Sequence, residues 1–544
     1  MSAMTGQRGA ATKRGMPSGR IFVLLVLFGL GVWVRIWTWD HTDPIRITGD
    51  FTNAWRWGGT VISDAREIAE QRPEGGNRVE AFFIAYRDLY GRVLAKNEED
   101  PFKLDYPPLR LLVMSLWACW VKAVWPQLAA PGAGQLSPLL AINLFMEALT
   151  AVGVYHLVCR VAARVGDDAL RPCLLKNGPA MATACAVLVW FNPALILNAH
   201  AWPQWDAWVL PPFLFAALAA LDGRWFTTGV LIGAGFFFKG QAVIIAPVFL
   251  AWAWAFAGMR ASLRFMAGVL TISALIASPW LLQGLGVAGR AVAAGGVLLP
   301  LVWLFLLQRK DEVAWVCASI ALLFFALGAL SAEGFTWLKL GFLFGTEKYP
   351  RLFVGAAYNL PAVLSGWGWK LKDPVVPWSD GSGLNLQSLL RIAYAAGVLL
   401  NSYAIAYYLK LRSPRVLAAL AFPWILMFAL LGQMHERYLV WGAVLSAIPA
   451  VLSVRFLLFH LVATLGAIGM MLTTMLPQTG ETFLPGLLPI LQRIRWGAAV
   501  FFCLIFLFIG WSILLEPARV WTKGLINRAK RLVRQGDSSG ASRV

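Results

Sequence analysis

Long apolar runs without charged residues recur along most of this chain, and short polar or basic segments separate them. Most runs are about 17–22 residues long, the length that a helix needs to cross roughly 30 Å of hydrocarbon. Backbone groups in lipid must find hydrogen-bond partners within their own segment, so these runs predict helices. A water-soluble domain could not cover the apolar surface that a hydrophobic fraction of 59% implies. The pattern predicts an all-α polytopic integral membrane protein.

The runs predict about 14 transmembrane helices, or about 12 if the short runs around Lys239 and Arg455 do not cross. The segment 108–126 follows a pair of prolines and carries two basic residues. We predict that it is interfacial or re-entrant, because a full crossing would place the basic loop 160–176 outside. The predicted spans cover residues 21–39, 138–159, 178–198, 207–221, 226–238, 241–257, 265–281, 290–307, 312–331, 387–409, 414–432, 438–454, 456–475 and 496–515.

Basic residues set the predicted orientation. The chain has 47 Lys and Arg against 28 Asp and Glu, a formal charge of +19. They lie mostly in short loops, in the N-terminal segment 1–20 and in the tail 516–544, which the positive-inside rule assigns to the cytoplasm. Residues 21–515 then form one transmembrane domain, whose first span is retained because no small-residue cleavage site follows it. The excess charge thus reflects membrane topology, and no nucleic-acid partner is expected.

This orientation leaves two large segments on the extracytoplasmic side. The first outer loop, 40–107, holds 13 of the 28 acidic residues, and its apolar stretches predict short helices that lie on the membrane. The second outer loop, 332–386, is rich in Gly, Pro and aromatic residues. The six cysteines form no CxxC pair and predict buried free thiols. No cofactor is predicted from the sequence, although a divalent metal stays possible.

Two aspartates of the first outer loop are candidates for chemistry. Asp50 follows shortly after the first span, where a carboxylate can act as a general base. The alternative role is a helix N-cap, because Gly-Asp before an apolar run is a common start signal. Asp105 and Tyr106 precede two prolines, a pattern typical of a loop that turns into a helix, so they serve either the site or that turn.

A polar and aromatic turn between two predicted spans contains His200, Gln204 and Asp206 with three tryptophans. Interfacial tryptophan belts explain the tryptophans but not the amide and the carboxylate. Such polar groups beside aromatic rings suit a sugar, which offers hydroxyls at its edge and C–H groups on its face. We predict that Gln204 and Asp206 contact a sugar.

Cations interrupt two later apolar regions. Lys239, with Gln241 close behind, lies in an apolar stretch of about thirty residues, where an ionisable group is costly and usually functional. The alternative is a lysine that snorkels to the membrane surface. A tight hairpin further along holds His435, Glu436 and Arg437, although a connector needs no charge. We predict that Lys239, His435 and Arg437 contact a phosphate and that Glu436 orients its neighbours. Gln241 and Glu436 are also predicted to contact the sugar or the acceptor.

Tyr358 and Asn359 in the second outer loop are further candidates for lining a substrate cleft. All these positions fall on the predicted outer side, although the charge rule that places them there is independent of catalysis. The site would combine a carboxylate base, cations for a phosphate, and aromatic rings, and it would be accessible from the lipid and from the outer space. Such a site suits the transfer of a group from a lipid phosphate.

In order and spacing, these motifs resemble the GT-C superfamily of membrane glycosyltransferases. The nearest groups are the dolichyl-phosphate-glucose glucosyltransferases of asparagine-linked glycosylation and the bacterial polyprenyl-phosphate-mannose mannosyltransferases. The bacterial pattern is nearer in the Trp-Pro-Gln-Trp-Asp stretch and in the glycine between the lysine and the glutamine. The resemblance rests on Asp50-Phe51, Asp105-Tyr-Pro-Pro108, Asn192-Pro193, Gln204-Trp-Asp206, Lys239 with Gln241, and Met434-His-Glu-Arg437.

The resemblance implies an inverting hexosyltransferase. Its donor is a hexose on a polyprenyl (undecaprenyl or dolichyl) phosphate, and its acceptor is an extracytoplasmic glycan, lipid or protein. It implies Asp50 as the base and Lys239, His435 and Arg437 as contacts of the donor phosphate. We expect a protein of the bacterial inner (plasma) membrane, surrounded by lipid, with its active site on the extracytoplasmic face.

Two other functions stay open on the sequence alone. A polytopic transporter or lipid-linked glycan flippase is expected to show paired halves and broken helices near the midplane, and the sequence indicates neither. A protein O-mannosyltransferase would share the superfamily and differ in its acceptor.

Overall fold

A computed structural model describes residues 18–42, 49–71, 77–96, 106–128, 132–283, 312–343, 357–377, 383–479 and 484–540, with Leu104 and a few isolated positions between 285 and 302. Throughout these ranges the chain is helical apart from turns and one two-stranded sheet. The predicted all-α architecture is confirmed for the described residues, with the small sheet as an addition.

Four helices form the N-terminal part: α1 (Ser18–His41), α2 (Gly49–Glu70), α3 (Arg78–Lys96) and α4 (Pro108–Val124). α1 is the first predicted span. α2 and α3 lie in the first outer loop and have 22 and 19 residues, so they are longer than the short helices predicted there. α4 starts with proline in its first turn, where the missing N–H costs no helical hydrogen bond, and it packs against α2.

Six helices form the middle part: α5 (Ser137–Val165), α6 (Gly178–Trp190), α7 (Leu210–Leu221), α8 (Trp225–Phe238), α9 (Ala242–Ala257) and α10 (Met259–Ile276). Short segments extend or interrupt this series. They are the 3-10 turns Ala133–Leu136 and Asp206–Val209, the α-helical turns Asp167–Leu170, Pro193–Ile196 and Ser278–Leu281, and the π-helical turn Leu197–Ala201.

Five long helices complete the chain: α11 (Glu312–Ala329), α12 (Leu386–Lys410), α13 (Val416–Leu430), α14 (Val454–Met475) and α15 (Leu487–Gly540). In the second outer loop, β1 (Pro374–Pro377) pairs antiparallel with β2 (Gly383–Asn385). α15 continues into the basic tail as far as Gly540, so this part of the tail is helical and continuous with the last predicted span. Shorter helical segments are Thr336–Leu338, Lys339–Leu343, Leu360–Gly366, Glu436–Tyr438, Leu439–Leu445, Ala447–Ala450 and Leu476–Thr479.

The chain is a membrane protein by the length and apolar character of its helices. Within the described ranges, seven helices are long and apolar enough to cross a membrane, and five shorter apolar helices accompany them. Leu465 on α14 and Phe508 on α15 expose 66% and 57% of their surface, as lipid-facing side chains do. Only isolated positions of the predicted span 290–307 are described, and 438–454 is divided into two short helices. The count of fourteen spans is therefore not confirmed.

Loops that the charge pattern groups together on the cytoplasmic side contact one another. Arg160, near the C-terminal end of α5, forms an ion pair with Asp222, which follows α7. In the loop after α5, the N–H of Leu174 donates to the carbonyl of Val451 at 3.1 Å. Three segments far apart in sequence thus meet at one end of the helical bundle, and the opposite end is left for the candidate site.

Facing glycines bring α8 and α10 into close backbone contact. A Cβ placed on Gly229 would overlap the carbonyl oxygen of Phe265, and a Cβ on Gly268 would overlap that of Phe226. Small residues let membrane helices approach closely, and this packing drives helix association where lipid is as apolar as the side chains.

We expect Gly229→Leu to separate α8 from α10 and to destabilise the protein by about 1–3 kcal/mol, the usual cost of overpacking. The measurement is the thermal unfolding midpoint of the detergent-solubilised protein. Gly497→Ala on α15 is the matched control, because its added Cβ meets no atom within 4 Å. Equal midpoints in the two variants would contradict the close packing.

Candidate functional site

A buried cluster of opposite charges lies at the centre of the candidate site. The carboxylate of Asp206 is fully buried, and its Oδ1 forms an ion pair with the Lys239 ammonium. Its Oδ2 lies 3.4 Å from Arg437 Nε and accepts a hydrogen bond from Asn198 Nδ2 at 3.3 Å. Lys239 and Arg437 are 2% and 7% exposed. Three of the predicted site residues therefore meet, and the lysine does not snorkel to the surface.

Interrupted helices deliver these charges to one place. Asn192 caps the turn Pro193–Ile196 by accepting from the N–H of Ala194 at 3.0 Å, which restarts the helix after α6. The π-helical turn and the 3-10 turn that follow carry Asn198 and Asp206. α8 ends where Lys239 adopts an extended backbone. Such breaks, which the sequence analysis does not detect, are tolerated in membrane proteins where the backbone is buried in protein.

Aromatic rings surround the two cations. The Lys239 ammonium lies 4.9 Å from the ring centroid of Tyr438 and 5.7 Å from that of Trp441. The Arg437 guanidinium lies 5.5 Å from the ring of Trp202. Ring faces attract cations, so they offset part of the cost of removing these charges from water.

The cluster borders a cavity of about 700 Å³. Lys239, Arg391, His435 and Arg437 are among its lining residues, and no Asp or Glu occurs among those described. Apolar side chains make up much of the remaining lining, including Phe236, Phe237, Phe325, Phe335, Trp337, Leu338 and Phe342. The cavity therefore combines basic side chains with an extensive apolar surface.

Tyr106 and Gln241, two predicted contacts, also line this cavity. α3 holds the backbone around Tyr106, because Tyr90 OH donates to the Tyr106 carbonyl at 2.8 Å. The guanidinium of Arg110, itself 2% exposed, lies 3.6 Å from the Tyr106 ring centroid. Gln241 Nε2 donates to Tyr438 OH at 3.1 Å. Both residues thus belong to the walls next to the cations.

Other predicted residues have different surroundings. His435 is 41% exposed, lines the cavity and lies 3.9 Å from buried Glu436. Gln204 is fully buried, and its side-chain amide has no hydrogen-bond partner among the described residues.

Tyr358 and Asn359 are buried and do not occur in the described cavity lining. Asn359 Nδ2 donates to the Phe428 and Leu431 carbonyls at 3.1 Å, so it holds the end of α13 before the charged hairpin.

The two aspartates of the first outer loop stay predictions. Asp105 lies outside the described residues, and Asp50 is in the first turn of α2 with its side chain outside the described part. The next residue, Phe51, is 4% exposed and packs in one apolar cluster with Trp205 and Trp208. The start of α2 is therefore next to the segment that carries Asp206.

Three further residues join the site without having been predicted: Asn198, Arg110 and Arg391. Asn198 is a polar residue at the end of a predicted span, and Arg110 is one of two charges in the segment 108–126. Arg391 lies near the outer end of a predicted span, against the usual charge bias, which is the signal that also marks Arg437. The sequence shows these unusual positions, but it does not show which residues they contact.

Within the described part of the chain, no group of three or more His, Cys, Asp or Glu side chains is placed to hold a metal ion. Comparisons of the chain with protein-family models and with curated proteins find no match. The chemistry that the site can perform therefore follows from its own residues.

We expect Asp206→Asn to lower stability by about 3–5 kcal/mol, because it leaves two buried cations without their carboxylate. Asp222→Asn is the matched control: it breaks the partly exposed pair with Arg160, worth about 0–1 kcal/mol. Thermal unfolding midpoints of the purified variants would measure both. If Asp222→Asn lowered the midpoint as much as Asp206→Asn, the buried cluster would not be the stabilising feature.

Proposed function

We propose that this protein is an inverting glycosyltransferase that takes a hexose from a polyprenyl-phosphate donor. The observation that supports it most is the cavity whose described lining combines basic side chains with aromatic and aliphatic residues and contains no Asp or Glu. A lipid phosphate likewise combines an anion with hydrocarbon. The volume of about 700 Å³ suits a sugar phosphate with the first part of its lipid chain.

The charge of the cluster favours an anionic ligand. One carboxylate, Asp206, faces two cations directly, and Arg391 and His435 lie further along the same cavity. Basic side chains outnumber acidic ones in the described lining of the cavity, which favours the binding of a donor phosphate there. We infer that Asp206 holds Lys239 and Arg437 in place, and that the predicted contact of Asp206 with sugar hydroxyls is secondary, since both carboxylate oxygens are engaged.

The proposed reaction has a single displacement at the anomeric carbon. Asp50 accepts the proton of the acceptor hydroxyl as the acceptor oxygen forms its bond to that carbon. The bond between the anomeric carbon and the phosphate oxygen breaks, and its electron pair leaves on the lipid phosphate. Lys239, Arg437 and His435 stabilise the negative charge that develops there. Attack opposite the leaving group inverts the configuration.

The membrane arrangement that accompanies this proposal has about 14 spans with both termini in the cytoplasm. The site then opens on the extracytoplasmic face of a bacterial inner membrane, and the acceptor is a glycan, lipid or protein on that side. The cavity is lined by helix ends that the charge pattern assigns to the outer side, which supports this orientation.

Asp50→Asn should reduce glycosyl transfer by about 10²–10⁴-fold, the usual contribution of a general base, and should leave insertion and donor binding intact. Membranes containing each variant would be supplied with labelled polyprenyl-phosphate glucose or mannose, and labelled glycan products would be counted. Asp40→Asn, at the exposed end of α1, is the matched control and should transfer at the wild-type rate.

Two outcomes would reject the proposed function. One is full transfer by Asp50→Asn. The other is movement of the labelled lipid across the bilayer without a new glycosidic bond, which would indicate the transporter or flippase that interrupted helices also suit.

Arg391→Met should raise the donor KM about tenfold and change kcat less, because Arg391 lines the cavity and is not one of the residues that contact Asp206. Steady-state kinetics with the purified, reconstituted protein would measure both constants. Arg493→Met, an exposed arginine of α15 outside the described cavity lining, is the control. An equal rise in donor KM in both variants would argue for general attraction of the anionic lipid and against a cavity contact.

A further inference from the structure

A second group of buried ionisable residues joins α1, α5 and the π-helical turn. Glu147 on α5 is fully buried, and its Oε2 forms an ion pair with Arg35 on α1. Its Oε1 lies 3.1 Å from His200 Nε2 on the π-helical turn. Arg35 and His200 are 2% and 3% exposed. None of the three occurs in the described lining of the cavity, so substrate contact does not account for them.

Arg35 fixes one end of this group rigidly. Its Nη1 donates to the carbonyl of Gly31 and its Nη2 to that of Trp190, both at 2.9 Å. The guanidinium also lies 3.9 Å from the centroid of the Trp190 ring. α1 and the end of α6 are thereby joined to Glu147, which leaves its second oxygen for the histidine.

α5 holds the adjoining segment at a second point one helical turn earlier. Asn143 Nδ2 donates to the carbonyls of Ala199 at 2.9 Å and Gln204 at 3.1 Å. Its Oδ1 accepts from Trp208 Nε1 at 2.7 Å. Asn143 and Glu147 are four residues apart and therefore lie on the same face of α5. That face supports both the π-helical turn and the 3-10 turn that carries Asp206.

The supported segment leads directly to the charge cluster. Asn198 belongs to the same π-helical turn as His200, and its amide donates to Asp206 Oδ2. Isolated π-helical turns are unfavourable and frequent at functional sites, so this one needs contacts that hold it. Where the π-helical turn faces α5, Glu147 and Asn143 provide such contacts.

We propose that Glu147 is a positioning residue: through His200 it holds the π-helical turn so that Asn198 keeps the Asp206 carboxylate between Lys239 and Arg437. The effect on catalysis rests on the proposed glycosyltransferase function. The effect on the conformation of residues 197–208 does not, and the two can be measured separately.

Hydrogen–deuterium exchange of the full chain in nanodiscs tests the conformational part without any substrate. Glu147→Gln should speed exchange across residues 197–208 about tenfold or more, and leave α14 unchanged. Thr150→Val is the control, because Thr150 is buried on the same helix and its hydroxyl donates to the carbonyl of Met146 within that helix. Unchanged exchange in Glu147→Gln would overturn the proposal, as would faster exchange throughout the protein. If that variant does not insert, His200→Leu tests the same link from the other side.

Transfer kinetics test the route through Asn198. Glu147→Gln and Asn198→Ala should each lower kcat/KM for the donor about tenfold, and the double variant should lose no more than either single one. A hundredfold loss in the double variant would show independent effects and overturn the route. If the wild-type protein transfers no sugar, the proposed function fails, and the exchange measurement alone then decides the positioning role.

Discussion

The arrangement of the candidate site depends on the ion pairs of Asp206 with Lys239 and Arg437. Charges withdrawn from water lose several kcal/mol of hydration each, and only close opposite charges and well-placed polar groups offset that loss. Each of the three residues comes from a different segment, so the segments must meet with little freedom. The aromatic rings beside the cations and the amide of Asn198 on the carboxylate complete this local compensation.

The helix breaks around the cluster are consequences of that constraint. A continuous helix through residues 190–210 would not place Asn198 and Asp206 side by side; a capped turn, a π-helical turn and a 3-10 turn do. Backbone groups released by such breaks are expensive in lipid, and here protein groups accept or donate the bonds. Asn143 binds two of the released carbonyls, and Asn359 does the same at the end of α13.

The site therefore has two parts with different physical demands. The buried charges and the polar residues of α5 are almost entirely withdrawn from solvent. The cavity beside them is lined by basic and apolar side chains, and His435 and Arg391 among them are at least partly exposed. α2, the helix proposed to supply the base, places Phe51 in the same apolar cluster as Trp205 and Trp208, the tryptophans on either side of Asp206 in the sequence.

Local properties of the sequence determined the membrane character, the helices and much of the charge chemistry. Apolar run length and the position of charges within apolar runs are visible residue by residue, and they identified Lys239, Asp206 and Arg437. Only the tertiary structure decided which charges are partners: Arg35 and Glu147 are 112 residues apart and both lie inside predicted spans, where neither was recognised. It also gave Asn359 a bridging contact and brought Arg110 and Arg391 to the site. These outcomes depend on how helices pack, because an ion pair or a cavity is made by several segments and no single segment encodes it.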